Sequence, residues 1–294
     1  MANLKEIRVR IGSVRSTQKI TSAMKMVSAA KLRRAQTAIY KLRPFADKLN
    51  GILSNITTAE ESENNPLAIV RPVENVVIIL IASNKGLCGG FNNAVIKECE
   101  SLLRRQYSQL HQNKKVQFIS IGKRVSDYLK AKKYPVLGFY DNFTNSPSFE
   151  AVANLAEEVM EKFTGKEIDK VVVIYNEFKN AATQILMKEQ YLPILPASTD
   201  AKKGKVMNND YIFEPNKEEM YNMLIPKVMK TKLYKAVLDS IASEHGARMT
   251  AMHKATENAD ELIKELNLTY NKVRQSSITN EIIEIVSGAE ALKN

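Results

Sequence analysis

The sequence predicts an α/β fold in which a long antiparallel coiled coil of the N- and C-terminal helices is joined to a central Rossmann-like α/β domain. Three observations lead there. Both ends of the 294-residue chain repeat apolar residues at three- and four-residue steps. The middle alternates strand-length apolar runs with amphipathic stretches. The periodic runs at the ends are also too long to lie inside a globule of this chain length.

At the N-terminus Leu4, Ile7, Ile11 and Val14 form an apolar stripe, and Ile20, Met24 and Val27 continue it with a drift. The first proline is Pro44. The polar run from Thr57 to Pro66 reads as a linker. The expected division is a coiled-coil helix over 1–56, a linker over 57–74, a central domain over 75–210 and a second coiled-coil helix over 211–294.

In the middle, the run from Asn75 to Ala82 is a buried strand, and Phe91 to Gln106 an amphipathic helix. Val116 to Gly122 is a strand, Arg124 to Lys132 a short helix, and Ser148 to Gly165 a helix closed by its glycine. Lys170 to Phe178 and Ala182 to Ile194 are strands, and Asp200 to Asp210 an exposed loop or hairpin. Strands and helices joined by short links imply a mostly parallel sheet covered on both faces.

From Lys227 to Ser287 no proline occurs, and Gly246 is the single glycine before Gly288. Met252, Ala255, Ala259, Leu262, Leu266, Tyr270 and Val273 make a seam, extended by Ile278, Ile282 and Val286. Glu244 with Arg248 and Asp260 with Lys264 have the spacing of ion pairs on an exposed flank. Such a helix reaches roughly 90 Å, and its N-terminal mate roughly 63 Å. A compact domain of this length is only about 50 Å across. The helices are therefore expected to project as a pair, leaving Gln275 to Asn294 overhanging. A break near Gln275 to Ser277 that folds the end back is the other option. Bare apolar residues on an overhang call for a protein that sheathes them.

The net charge of +11 is concentrated: Met1 to Arg43 holds eleven Lys and Arg against Glu6 alone. A basic helix of this kind meets nucleic acid, anionic lipid or an acidic protein surface. Aromatic residues are absent from it before Tyr40, which weighs against base stacking. No apolar run reaches membrane-spanning length. Cys88 and Cys99 supply neither a disulfide framework nor a CxxC pair, which suits a cytosolic compartment. His111, His245 and His253 lack metal-ligand spacing, and no nucleophile elbow is present. The methionines at 24, 26, 249 and 252 read as adaptable packing between the two helices. The loop from Ser83 to Asn93, SNKGLCGGFNN, has the strand–glycine–helix setting of a phosphate cradle but matches neither GxxxxGK[ST] nor GxGxxG. The residues alone thus leave three readings: a coiled-coil shaft within an assembly, a basic coiled coil that binds nucleic acid, and a glycine-loop nucleotide-binding enzyme.

Three ordered segments narrow this. Ile7 to Gln36, Ser83 to Asn92 and Ser243 to Leu292 resemble the start, internal loop and C-terminal signature of the gamma subunit of F-type ATP synthase. The loop departs from the family pattern at Asn84 and Lys85, where Asp-Arg is usual, and His253 sits where other side chains are common. The resemblance implies a central rotor shaft within a ring of three alpha and three beta subunits. Its foot would hold the epsilon subunit and rest on the membrane c-ring, which would be its one link to the membrane. It implies catalysis in the beta subunits, and no cofactor, metal or nucleic acid for this chain. The apolar stripe of Lys19 to Gln36 would face the C-terminal helix and its basic face an acidic segment of beta. By match to the family, Met24, Arg248, Arg274, Gln275, Thr279 and Glu281 are candidate contacts along the shaft, and Lys85 and Cys88 contacts lower down. The lack of a recognisable leader and of a cysteine-bearing insert favours a bacterial source, with the complex on the cytoplasmic side of the inner membrane.

Overall fold

The computed structural model describes residues 4–56, 65–145, 147–194 and 217–291. The linker expected over 57–74 lies outside the described residues as far as Asn64. The loop expected over Asp200 to Asp210 lies wholly outside them. The chain divides into two compact units, Met1–Ser28 with Met249–Asn294, and Ala29–Arg248.

Two helices supply the first unit. α1 covers Leu4–Ile56, 53 residues and about 80 Å. At the C-terminal end a 75-residue helix, Lys217–Ala291, covers about 110 Å; it is α6 in the numbering below. Three side-chain pairs join them: Gln18 Nε2 donates to Asp260 Oδ1 at 2.7 Å, the Thr21 and Thr256 hydroxyls meet at 2.9 Å, and Lys25 Nζ lies 3.3 Å from His253 Nδ1. The paired residue numbers add to 277 or 278 in each case, so the helices run antiparallel in a fixed register. On α6 the residues at seven-residue steps, Met252, Ala259 and Leu266, are buried. On α1 the same step runs through Ile7, Thr21 and Ser28.

This corrects the expected stripe. Ile20 and Val27 are more than half exposed, as is Met26, and the seam passes through Gln18, Thr21, Lys25 and Ser28 instead. A two-stranded coil holds its seam at 3.5 residues per turn, so a seven-residue step outranks apolar character. The polar pairs fix the register in return. The expected exposed flank is corrected too. Asp260 accepts from Gln18 across the seam, and Glu244–Arg248 is a buried pair.

The second unit is built on a five-stranded sheet. Its strands are β1 (Val76–Ile81), β2 (Val116–Ile121), β3 (Val136–Phe139), β4 (Lys170–Phe178) and β5 (Gln184–Leu192), in the order β3-β2-β1-β4-β5. β1 through β4 pair in parallel, while β5 runs antiparallel to β4. The β4–β5 link is too short for a crossover, and the Asn180 side chain closes it by accepting from the backbone N–H of Ala182 and Thr183.

Helices α2 (Phe91–Arg105), α3 (Ser108–Gln112), α4 (Lys123–Ala131) and α5 (Phe149–Thr164) complete the alternation. Val76, Ile78 and Leu80 of β1 pack with Val95, Cys99 and Leu102 of α2 and Val125 and Leu129 of α4. Alternate residues Val77, Ile79 and Ile81 point to the other face and are equally buried. On that side α5 meets α6 through the Lys230–Glu157 ion pair and the edge-on Phe149–Tyr234 rings. Tyr191 of β5, 2% exposed, donates to Met229 O of α6 at 2.8 Å.

Both long helices lie within the expected 1–56 and 211–294 but pass through a proline, Pro44 in α1 and Pro226 in α6, and so exceed the lengths reckoned from the proline-free runs alone. Each loses a backbone hydrogen bond there. Apolar residues around each proline, Ala46 and Leu49 in α1 and Leu224, Ile225, Val228 and Met229 in α6, are buried, and that packing carries the helix across.

Candidate functional site

A doubly wound sheet binds ligands where its strand order reverses, beyond the C-terminal ends of two neighbouring strands. Here the reversal lies between β1 and β4. Past β1 comes the glycine-rich loop, and past β4 the hairpin to β5. α6 lies against both. A side-chain carbon on Gly246 would come within 3.3 Å of the Ala181 backbone, so glycine lets the hairpin and helix touch. Two residues on, Arg248 enters the loop. Its Nη2 donates to Lys85 O at 3.0 Å and to Gly86 O at 3.3 Å, while Nη1 holds Glu244 Oε1 at 2.6 Å. Both members of that ion pair are about nine-tenths buried.

The charges here are matched. Burial raises the Glu244 pKa above the ordinary carboxylate value, and Arg248 works against that rise. Burial, followed by Arg248 and Lys31, lowers His245 to about 4, so its imidazole is neutral beside the guanidinium.

Inside the loop Ser83 is the hub. Its hydroxyl donates to Lys85 O at 2.7 Å and is 2.9 Å from Asn92 Oδ1, which also accepts from Ser83 N. Asn92 Nδ2 donates to Cys88 Sγ at 3.2 Å. Asn84 is used at both ends: Nδ2 donates to Asp141 O and Oδ1 accepts from Lys123 N. An aspartate could not make the first of these bonds. Cys88 is 2% exposed and packs with Phe91 and Ala247. Leu87 at φ +61° and Gly89 at φ +60° turn the chain, and the Leu87 side chain is thrown outward, 65% exposed. Cys99, on the buried face of α2, has its thiol pushed up to about 12 by burial.

A phosphate cradle offers backbone N–H groups to its ligand. This loop instead gives two carbonyls to its own arginine, and its crevice is closed by its own helix. The loop is braced underneath by its own hydrogen bonds and leaves Lys85 and Leu87 exposed.

The other sequence-selected residues belong to the first unit. Met24 is half-buried on α1. Arg274, Gln275, Thr279 and Glu281 are exposed on the last turns of α6, where Thr279 Oγ1 donates to Gln275 O and Ser277 Oγ to Glu281 Oε1. In the register above, Leu4 stands opposite about residue 274. α6 continues unbroken to Ala291, and Ile278, Ile282, Ile283, Ile285 and Val286 are 47–71% exposed. Sequence reasoning missed Ser83, Asn92 and Leu87, along with the outward Ile20, Met26 and Val27. A seven-residue count from Ile7 would have found the last three. Among the described residues no helix is long and apolar enough to cross a membrane, and no group of His, Cys, Asp or Glu could hold a metal.

Solved structures share this architecture. The central stalk of the Tetrahymena thermophila mitochondrial ATP synthase superposes with a TM-score of 0.57 at 25% identity, over 80% of this chain and 99% of that one. The rotor of the Euglena gracilis mitochondrial ATP synthase in rotational state 1 gives 0.64 at 20% identity, over 94% and 98%. The fold is thus that of the central-stalk proteins of rotary ATP synthases. The sequence is closer still to particular relatives. The ATP synthase gamma chain of Flavobacterium johnsoniae is 52% identical over 293 residues, 99% of each chain, and that of Cytophaga hutchinsonii 50% identical over 295 residues, the whole of each. A family model described as ATP synthase matches residues 3–292. The chain belongs to the ATP synthase gamma chain family, and so to the rotor of the F-type enzyme.

Proposed function

We propose that this chain is the non-catalytic transmission shaft of its complex, on the cytoplasmic side of a bacterial inner membrane. It takes up the proton-driven turning of the c-ring at its α/β domain, beside the epsilon subunit. It passes that motion through the helix pair to the alpha and beta subunits, where ATP is made or hydrolysed. The observation that carries this reading is the run of exposed isoleucines beyond the last α1 partner of α6. A bare apolar helix end is costly in water and needs a protein collar. The basic outer face of α1 supports an acidic lining for that collar. Charge attraction over several ångströms is weakly directional, so it steadies the shaft without locking its angle.

Lys85 is proposed as a direct contact with a beta subunit. Cys88 and Arg248 are buried by the chain itself, so they act on that contact by holding the loop. Met24 acts through the helix pairing. Arg274, Gln275, Thr279 and Glu281 supply angle-dependent hydrogen bonds to the collar.

Two experiments test this. The isolated chain should show no ATP hydrolysis and should hydrolyse only after assembly with alpha and beta; turnover by the chain alone would overturn the assignment. In the assembled complex, Arg274→Ala with Gln275→Ala should leave assembly intact and lower coupled ATP turnover about tenfold, the loss of roughly one or two hydrogen bonds to charged or polar partners. Unchanged turnover would remove both residues from the contact set.

A further inference from the structure

The strongest unexplained feature of the second unit is a buried acid. Asp239 is 0% exposed, and neither carboxylate oxygen has a hydrogen-bond partner. One turn further along the same face of α6, the Ser243 hydroxyl is likewise 0% exposed and unpartnered. These two share one helix face and one defect: a buried polar group without a hydrogen-bond partner.

The surroundings are charged on every side yet nearly neutral in sum. Lys235 stands one turn earlier on α6 and Arg43 on α1, and both favour the ionised form. Glu177 on β4 and Glu189 on β5 oppose it. Glu189 and the nearby phenol have other business. Tyr175 donates to Glu189 Oε1 at 2.9 Å, and Lys232 pairs with Glu189 Oε2 at 3.3 Å. Arg43 lies over the Tyr40 ring. Lys235 lines a neighbouring cavity of about 240 Å³ together with Ala46 and Leu49 of α1, Tyr175 of β4 and Glu189 of β5. The two cations and two anions offset one another, and burial decides: it is the largest influence and moves Asp239 from 3.8 to about 6.

We propose that Asp239 binds a proton from solvent when α1, α6 and the β4–β5 hairpin pack together, making this joint of the chain tighter in acid than at neutral pH. Protonation removes the buried charge that burial penalises, and ionisation restores it among carboxylate oxygens that no donor meets. The sign follows from the direction of the shift. A carboxyl whose folded value lies above its unfolded one stabilises fully below about 4, and that stability is lost as the pH rises through about 6. The proton is held about a hundredfold more tightly in the folded chain, at tenfold per pH unit. The folding equilibrium constant should therefore fall by up to about a hundredfold across that window through this group alone.

The test is infrared difference spectroscopy of the full chain carrying carbon-13 aspartate, between pH 5 and pH 7.5, with thermal unfolding at each pH. The wild type should show a protonated-carboxyl band at pH 5 that moves with the label and disappears by pH 7.5. Its unfolding midpoint should fall over the same range. Asp239→Asn should lack the band and lose that part of the fall. If Asp239→Asn does not fold, Asp239→Leu offers an apolar filling of the same place, and the wild-type band needs no variant. A labelled band absent at pH 5, or one that persists in Asp239→Asn, overturns the proposal. So does an unfolding midpoint with the same pH slope in wild type and variant.

Discussion

Arg248→Ala should cost about 3–5 kcal/mol of stability in the α/β unit and uncouple the complex, because one side chain serves three acceptors at once, one of them a buried carboxylate. Breaking a buried ion pair from one side leaves the other charge stranded, and the penalty comes mostly from that survivor. Here the survivor is Glu244, already raised by burial and held down only by Arg248 and more distant Lys31. Gly86 O loses its arginine donor as well, while Lys85 O keeps the Ser83 hydroxyl. Equilibrium urea unfolding of the isolated chain should show the midpoint fall with the slope unchanged. Arg248→Lys keeps the charge but not the fork, so it should recover Glu244 and not the loop. The double variant Arg248→Met with Glu244→Gln should be more stable than Arg248→Ala alone, since it strands no charge. If Arg248→Ala unfolds within about 1 kcal/mol of wild type, the arginine is not what holds the loop to α6.

The same residue shows how far a sequence can be read. The interval between Glu244 and Arg248 announces an ion pair, and the pair is present. What the interval does not carry is burial. α6 is exposed on one face in its distal half, whereas no residue over 233–252 is exposed and Leu233, Val237 and Ala242 there are buried like sheet residues. Sixteen residues further on, Asp260 has the same spacing to Lys264 but turns to Gln18 across the seam. Local periodicity fixes which residues share a face; the covering layer comes from distant chain. The parallel strands were legible because β1, β2 and β4 are buried on both faces; β1 reads as an unbroken apolar run, and β2 and β4 as mostly apolar ones. β3, with half-buried alternation over four residues, gives no such signal. The candidate site divides in the same way. Lys85 and Cys88 stand out by their glycine-rich setting. Ser83 and Asn92, which shape the loop, are ordinary polar residues until folding brings their side chains together.

The seam of the coiled coil gives a further physical lesson. Counting apolar residues selects Ile20 and Val27 as core, whereas the helices bury Thr21 and Ser28. Both threonines of the Thr21–Thr256 pair bond back to their own helix or across, so the polar seam is satisfied. The apolar side chains displaced from it become the outer surface of a basic helix. That surface suits a rotating contact. Apolar side chains slide without the directional penalty of hydrogen bonds, while the lysines and arginines around them attract without fixing an angle.

Gly122→Ala should be the most damaging single methyl in the α/β unit, about 4 kcal/mol. Gly122 sits at φ +107° and ψ 135°, a region that only glycine occupies without strain, and forcing a side chain there costs about 1–3 kcal/mol by itself. The added carbon would also lie inside contact distance of the Ala82 carbonyl oxygen, 2.8 Å from the carbonyl carbon and 3.3 Å from Ser83 O. These are backbone atoms of the neighbouring strand end and cannot turn aside. The strain would land on the root of the glycine-rich loop. Ala82 N bonds Ile121 O, Arg124 N bonds Ser83 O, and Lys123 N bonds Asn84 Oδ1, all within three residues of the insertion. Loop and sheet would have to part, and coupled turnover should fall with stability. Gly86→Ala and Gly90→Ala are the contrast. An added carbon at either meets nothing within 4 Å, and neither needs a positive φ, so each should stay within about 0.5 kcal/mol of wild type. A phosphate cradle would need those two glycines bare for close approach of a ligand. A docking loop needs only the one beneath it, and unfolding curves of the three variants, with turnover of the assembled complexes, separate the two designs.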